Sequence, residues 1–293
     1  MTDLRTTPAD TTNLSFELHV GALRLALRPD LGGAVAGLWH RETPILRSSE
    51  PGRLEGPRQS AMFPLLPYSN RLGYRRFRWR GHDYTTAANV ADSPHSLHGI
   101  GWQRPWKLVA SSVLEVVVEL EHGGDADWPF AFTARQYFAL TPESLTVRLQ
   151  FTNAAAIEQP TGLGWHPYFV KRPRSRLHVE LSDRWDTDAT QLPTRKVAQP
   201  GIDSDLSHLA YDNCFDGWHG PARIRDEHLS LRLSSSLGHL VVYTPPERDY
   251  FCVEPVSHVS NAIHMAEPAA YGIVALAPGA TLEASMTLDI GVV

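Results

Sequence analysis

Two short segments carry side chains suited to moving protons. In GLGWHPYFVK, residues 162–171, His166 stands between Trp165 and Pro167, with Tyr168 and Phe169 following. Imidazole is the side chain whose ordinary pKa lies nearest neutrality, so it can hold or release a proton under mild conditions. A lone histidine beside glycine is also a common packing residue, and both readings stay open for His166 and for His98. In YFCVEPVSH, Glu254 follows four residues that read as a buried strand and precedes Pro255, so its carboxylate is expected to emerge where the strand ends. A charge there has to be paired or partly desolvated, and such an environment tunes a carboxyl to act as a general base.

Three more loop-like segments, PYSNRLG, SLHGIGWQRPW and YDNCFDGW, concentrate polar residues. Asp212, Asp216 and Glu254 supply enough carboxylates for a glycosidase, which needs two, and spacing alone does not exclude that chemistry. His95 and His98 stand three apart, but in a Ser/Gly/Pro-rich loop, with no HExxH, Cys-x-x-Cys or His-x-His beside them; no metal site is assigned. A nucleophile elbow, a P-loop and a full dinucleotide fingerprint are all missing. Trp102, Trp106, Trp165 and Trp218 lie near these loops and suit either stacking on a sugar or core packing.

The elements that must position these residues read as strands. Runs such as SLTVRLQFTN alternate with period two, placing Leu145, Val147, Leu149 and Phe151 on one face. ALTPESLTVRL and FRWRGHDYT read as hairpins, the second turning at Gly81. Only IDSDLSHLAYDN and SNAIHMAEPAA have room for a turn or two of helix. The expected fold is therefore all-β, a large antiparallel β-sandwich. Residues 1–12 read as a flexible tail and residues 13–293 as a single domain, since strands run from end to end without a linker. Two long segments, SSEPGRLEGPRQSAMFPLLPYSNRLG and TTAANVADSPHSLHGIGWQRPW, exceed hairpin length and are rich in aromatics, which predicts ordered loops carrying a site.

Composition narrows the partners. A net charge of −5 with interspersed signs offers no basic stripe, so nucleic acid is not expected. Two cysteines, Cys214 and Cys252, are too few for a disulfide framework and read as small core fillers. With no secretory leader or apolar run of spanning length, the expectation is a cytoplasmic protein without a membrane partner. Nothing in the sequence indicates the oligomeric state.

Taken in order, the segments resemble the aldose 1-epimerase family, from about Gly32 to the C-terminus. NRLGYRRFRWRGHDYTTAANVADSPHSLHG resembles the family's Asn-Arg, strand, Gly turn, strand and Leu-His-Gly succession; HPYF, the Asp-x-x-Phe of DNCF and a late glutamate follow. The chain departs from the pattern at GIGWQRPW after His98 and at PVSHVSNAIH after Glu254, where many members carry Pro-Asp-Ala. The resemblance implies the galactose mutarotase-like supersandwich. It implies that Glu254 is the base, that His98 and His166 sit by the sugar ring, with His166 as the proton donor in imidazolium form, and that Arg71 and Asp212, with Asn70 beside them, bind hydroxyls. The implied reaction interconverts the α and β anomers of a free monosaccharide and needs no cofactor, because proton transfer alone makes and breaks a hemiacetal. Alternatives are a hexose-phosphate 1-epimerase, with Arg75, Arg76, Arg104 or Lys171 as phosphate holders, and a non-catalytic sugar-binding protein on the same fold.

Overall fold

Side-chain alternation dictates how the strands pair. Ser144–Asn153 buries Leu145, Val147, Leu149 and Phe151 on one face, as their period-two spacing requires. It pairs with Phe132–Leu140 through a turn closed by the Thr141 N–H on the Ser144 carbonyl, the expected hairpin. The second hairpin joins Arg76–Trp79 to His82–Thr85 through Arg80 and Gly81. Their φ angles of 46° and 85° are the left-handed pair that a two-residue hairpin turn demands.

A computed structural model describes residues 15–293; the tail expected over residues 1–12 lies outside the described residues. Two large antiparallel sheets dominate. The nine-stranded sheet runs in the order Lys107–Ser111, Glu115–His122, Phe132–Leu140, Ser144–Asn153, Thr281–Val292, Leu229–Ser235, His219–Arg225, Arg176–Glu180 and Ile202–Asp205. The eight-stranded sheet runs Pro193–Ala198, Asp183–Thr187, Asp212–Asp216, His239–Tyr243, Tyr250–Val256, Gly164–Trp165 and Pro64–Leu65, with Tyr168–Val170 also on Tyr250–Val256. A four-stranded sheet, Phe16–Val20 to Thr43–Pro44, packs into the same core.

The core lies between the large sheets. Phe151 and Met286 of one share a hydrophobic cluster with Phe215, Leu240, Val242, Phe251 and Val253 of the other. The eight-stranded sheet is buried on its second face too, where Cys214, Val241, Cys252 and Val256 meet Phe63, Trp102 and Tyr168. Those last residues come from the two long loops and the HPYF segment, so the loops expected to be ordered form a lid of side chains over that face.

The two segments with room for helix form no α-helix. Ile202–Asp205 is a strand followed by one 3-10 turn, Leu206–His208, and the other segment gives two 3-10 turns, Ala262–His264 and Pro268–Tyr271. Pro268 supplies no N–H to continue the first of those turns. Among the described residues no helix is long and apolar enough to cross a membrane.

Candidate active site

The site is built around an interruption in one strand pairing. Tyr250–Val256 pairs on one side with His239–Tyr243, without a break, so that Glu254 lies opposite Val241. On its other side Tyr168 pairs with Cys252 and Gly164 with Val256 in one common register, which passes through His166 opposite Glu254. The ladder is broken there because Pro167 and Pro255 bring no N–H. Ser257, two residues beyond Pro255, donates its N–H to Leu163 on that side, so the N–H that Pro255 lacks would have pointed into the gap. His166 turns its own N–H to the Phe63 carbonyl at 3.0 Å.

The strand-end placement expected for Glu254 is therefore corrected. Glu254 stands inside the strand Tyr250–Val256 and is buried, 2% exposed. Pro255 does not end the strand, since the missing donor faces a position where no partner is paired. Glu254 gains its special environment from the interrupted neighbour and not from a strand terminus.

Alternation then sends His166, Tyr168, Cys252 and Glu254 to the same face. The His166 Nε2 atom lies 3.4 Å from Glu254 Oε1. Tyr168 stacks on the His166 ring at 4.4 Å between centroids, and the Arg47 guanidinium covers the far side of Tyr168 at 3.8 Å. His166 Nδ1 and Glu254 Oε2 are buried with no hydrogen-bond partner, which leaves both groups with unused capacity inside the pocket.

The second wall comes from the loops. Arg71–Leu72 pairs with Ser96–Leu97, and just outside this short ladder Asn70 and His98 exchange two hydrogen bonds. The His98 N–H donates to the Asn70 carbonyl at 2.8 Å, and the Asn70 N–H donates to His98 Nδ1 at 3.0 Å. Both residues take left-handed backbone angles, φ 55° for Asn70 and 62° for His98. With Nδ1 occupied as an acceptor, the neutral His98 ring carries its proton on Nε2. The Asn70 side-chain oxygen accepts from the Arg71 N–H at 2.8 Å, Arg71 Nη1 at 3.0 Å and Ser260 Oγ at 3.1 Å, so it orients Arg71. Arg71 Nη2 then stands 3.9 Å from Asp212 Oδ2.

All six residues expected at the site line one pocket, about 820 Å³ out to its open mouth. Of the four tryptophans only Trp102 lines it; Trp106, Trp165 and Trp218 pack in the main core. Asp216 is engaged elsewhere, by Trp185 Nε1 at 3.0 Å and His239 Nδ1 at 2.9 Å, which removes it from any carboxylate pair in the pocket. The proposed phosphate holders are also elsewhere: Arg104 is held by Asp125 and Asp127, Lys171 by the Pro245 and Pro246 carbonyls, and neither Arg75 nor Arg76 lines the pocket. The sequence did not single out Arg58, Phe63, Tyr243 and Tyr250, which do line it. Tyr243 is opposite Asp212 and Cys252 in the sheet register, a relation set by pairing and invisible in chain order.

Burial decides the protonation states. It pulls His166 down to about 3, helped by the positive charges of Arg47 and Arg58. His98 is held well below the ordinary imidazole value by burial and by His166, Arg71 and Arg58. Burial pushes Glu254 well above the usual carboxyl range, reinforced by Asp212 and opposed by Arg71. Asp212 is raised by burial, again against Arg71. Burial thus works against the imidazolium expected for His166 and toward the neutral form of Glu254, and the low-polarity surroundings are the reason.

The family model described as aldose 1-epimerase matches residues 15–289. The uncharacterized Escherichia coli K12 protein YphB is 32% identical, over 94% of this chain and 98% of that protein. A solved Escherichia coli K12 structure provisionally described as an aldose 1-epimerase superposes with a TM-score of 0.87 at 30% identity, covering 95% of this chain and 99% of the other. A galactose 1-epimerase from Lactobacillus acidophilus shares the fold, with a TM-score of 0.76 at 11% identity over 94% and 92% of the two chains.

Proposed function

The chain belongs to the aldose 1-epimerase family, and from that premise we propose that it interconverts the anomers of a free aldose, with Glu254 as base and His166 as acid. One observation carries the reading: the two groups stand 3.4 Å apart and line the same pocket. In a pyranose the hydroxyl oxygen to be deprotonated and the ring oxygen to be protonated are bonded to the same carbon. A base and an acid in direct contact match that separation; groups far apart would not.

Between them Glu254 and His166 hold one mobile proton. In the ionic arrangement Glu254 is a carboxylate and His166 an imidazolium. Glu254 takes the proton from the C1 hydroxyl, the O–H electron pair forms the carbonyl, and the bond from C1 to the ring oxygen breaks with its pair left on that oxygen. His166 supplies the proton that the ring oxygen takes. The sugar is now the open aldehyde, and the pair has become neutral imidazole and protonated carboxyl, the arrangement that burial favours. Rotation about C1–C2 presents the other face of the carbonyl. Reclosure reverses both transfers and gives the opposite anomer with the ionic pair restored.

His98, fixed as an Nε2 donor, offers a hydrogen bond to the sugar and not a mobile proton. Arg71 provides a rigid fork for neighbouring hydroxyls, Asp212 accepts from them, and Asn70 holds the fork in place. The stacked aromatics restrict water around the transferring protons.

Glu254→Gln preserves shape and removes the base. It is expected to lower kcat about 100-fold or more, the usual scale for a positioned base, with sugar binding nearly unchanged. Polarimetry of freshly dissolved α-glucose and α-galactose measures this; a wild-type rate in the variant would remove Glu254 from the mechanism. His166→Asn is expected to act likewise.

A second reading has one observation in its favour. The Arg58 side chain lines the pocket, is exposed, and has no hydrogen bond or ion pair among the described residues. A cation at that position favours an aldose carrying a phosphate. Separate assays with glucose and glucose 6-phosphate discriminate, since only the phosphate ester should lose kcat/KM in Arg58→Ala.

A further inference from the structure

Behind the residues that line the pocket lies a third buried group that ring opening does not use, Cys252. Cys252 precedes Glu254 by two residues on the same strand, so both side chains project from the same face, and Cys252 lies opposite Tyr168 where His166 lies opposite Glu254. The Cys252 Sγ, a His166 ring nitrogen and a Glu254 carboxylate oxygen all lie within 4.8 Å of one another, and all three residues are buried. Glu254 Oε2 has no partner of its own. The pocket is lined by His166 and Glu254 of the trio, and on their side it leaves room for a further ligand.

We propose that Cys252, His166 and Glu254 form a binding site for a zinc-class divalent cation, and that the bound ion inhibits the enzyme. The binding half stands on the geometry alone; the inhibition half rests on the acid and base roles given above. Thiolate, imidazole and carboxylate make a mixed S, N, O set that suits zinc and not magnesium, which demands six oxygen ligands in near-octahedral array. The thiolate and carboxylate together balance the charge of the ion, so no net charge is left in an apolar surrounding. A separation of 3.4 Å between His166 Nε2 and Glu254 Oε1 is already close to one edge of a tetrahedron with metal–ligand bonds of about 2.0–2.1 Å. With all three ligand atoms within 4.8 Å of one another, the other edges exceed those of a tetrahedron with a zinc–sulfur bond of about 2.3 Å by at most roughly 1 Å.

Binding releases the thiol proton, and the carboxyl proton where Glu254 holds one, to the buffer. The carboxylate lone pair that accepts the C1 hydroxyl proton, and the imidazole nitrogen that carries the proton for the ring oxygen, are then committed to the metal. Three protein ligands with an open position is also the coordination of catalytic zinc centres, but here the ion displaces the base and the acid of the reaction.

The test uses the full chain freed of metal with a chelator. Cobalt(II), added as a spectroscopic probe, should give the near-ultraviolet charge-transfer band of a thiolate ligand together with tetrahedral visible bands. Zinc titrated against a chromophoric chelator should bind with one equivalent per chain, and Cys252→Ala should abolish the cobalt charge-transfer band and weaken zinc by at least about 10-fold. If Cys252→Ala does not fold, Cys252→Val gives the same readouts. Stoichiometric zinc should stop anomer exchange in the wild type, reversibly on chelation, and leave Cys252→Ala active. A cobalt spectrum without the thiolate band, or equal zinc affinity in the cysteine variant, overturns the site. Full activity of the zinc-loaded wild type overturns the inhibition. Absence of anomer exchange in the metal-free protein instead counts against the acid and base reading, while the cobalt spectrum still decides the site.

Discussion

The proposed acid and base are set by their surroundings more than by their own chemistry. His166 is flanked by Tyr168, backed by the Arg47 charge and buried, which together hold it neutral down to about 3. Glu254 is raised by the same burial and by Asp212, against Arg71. The working pair needs one proton between its two members, so activity fails when a second is added or the first is lost. With chelator present, kcat should hold on the acid side well below 6.5, the ordinary imidazole value, and its basic limb should lie above the ordinary carboxyl range. An acid limb centred near 6.5 in the pH–rate profile would mean that His166 titrates as a free imidazole and is not in this environment. Asn70 acts one step removed. Asn70→Ala frees the Arg71 fork and removes a partner of Ser260, and should raise KM about tenfold with a smaller change in kcat, a loss of roughly 1.4 kcal/mol in binding.

At the scale of elements, the strand that carries Glu254 fixes the proposed base, and the loop that follows it fixes the opposite wall. His258 donates from Nδ1 to the Val259 carbonyl at 2.7 Å and accepts the Ser69 N–H on Nε2 at 3.0 Å. Asn261 Oδ1 accepts the Gly73 N–H at 2.9 Å, and its N–H donates to the Arg71 carbonyl at 3.1 Å. The departure PVSHVSNAIH is therefore a buttress for the Asn70–Gly73 turn. Gly99 shows the same dependence on backbone placement: its φ is +65°, and a Cβ there would lie 2.0 Å from the Leu66 carbonyl oxygen. Gly99→Ala should displace His98 and lose at least about tenfold in kcat/KM, the scale of a misplaced site residue. Steady-state kinetics, with circular dichroism to verify folding, measure it; unchanged kinetics would show that His98 placement does not depend on this turn. Much of this arrangement was legible in the chain. Period-two alternation in SLTVRLQFTN gave its buried face, and the Leu-His-Gly and HPYF segments marked both histidines. The register was not legible. Pairing between Tyr168 and Cys252 puts His166 against Glu254, and that long-range relation has no local signal. The loop that carries Arg58 and Phe63 was expected to be ordered and to carry a site, but which of its side chains face the pocket has no local signal.

Across the whole molecule, the buried imidazoles tie stability to pH. Burial pulls His258 down to about 4 and His166 to about 3, and lowers His98 as well. For each, the unfolded chain binds a proton from about 6.5 downward while the folded chain refuses it. Their contribution is therefore present above 6.5 and is lost as pH falls toward the folded values. Glu254 and Asp212, raised by folding, work in the opposite direction above the ordinary carboxyl value, against a larger set of lowered imidazoles that also includes His95 and His264. The urea midpoint should fall steadily between pH 7 and pH 4, and His258→Gln should flatten that slope; a wild-type slope in the variant would show that His258 is not held neutral. The two packed sheets keep Glu254 and His166, the proposed base and acid, on one face, and the account stands or falls on what that face does to a sugar. The most direct measurement is the rate of anomer exchange of freshly dissolved α-glucose, α-galactose, arabinose and xylose in chelated buffer, with the wild type and with Glu254→Gln at equal concentration. The account predicts rapid exchange of at least one sugar by the wild type and a rate near the uncatalysed background for the variant; equal rates for the two proteins on every sugar exchanged would contradict it.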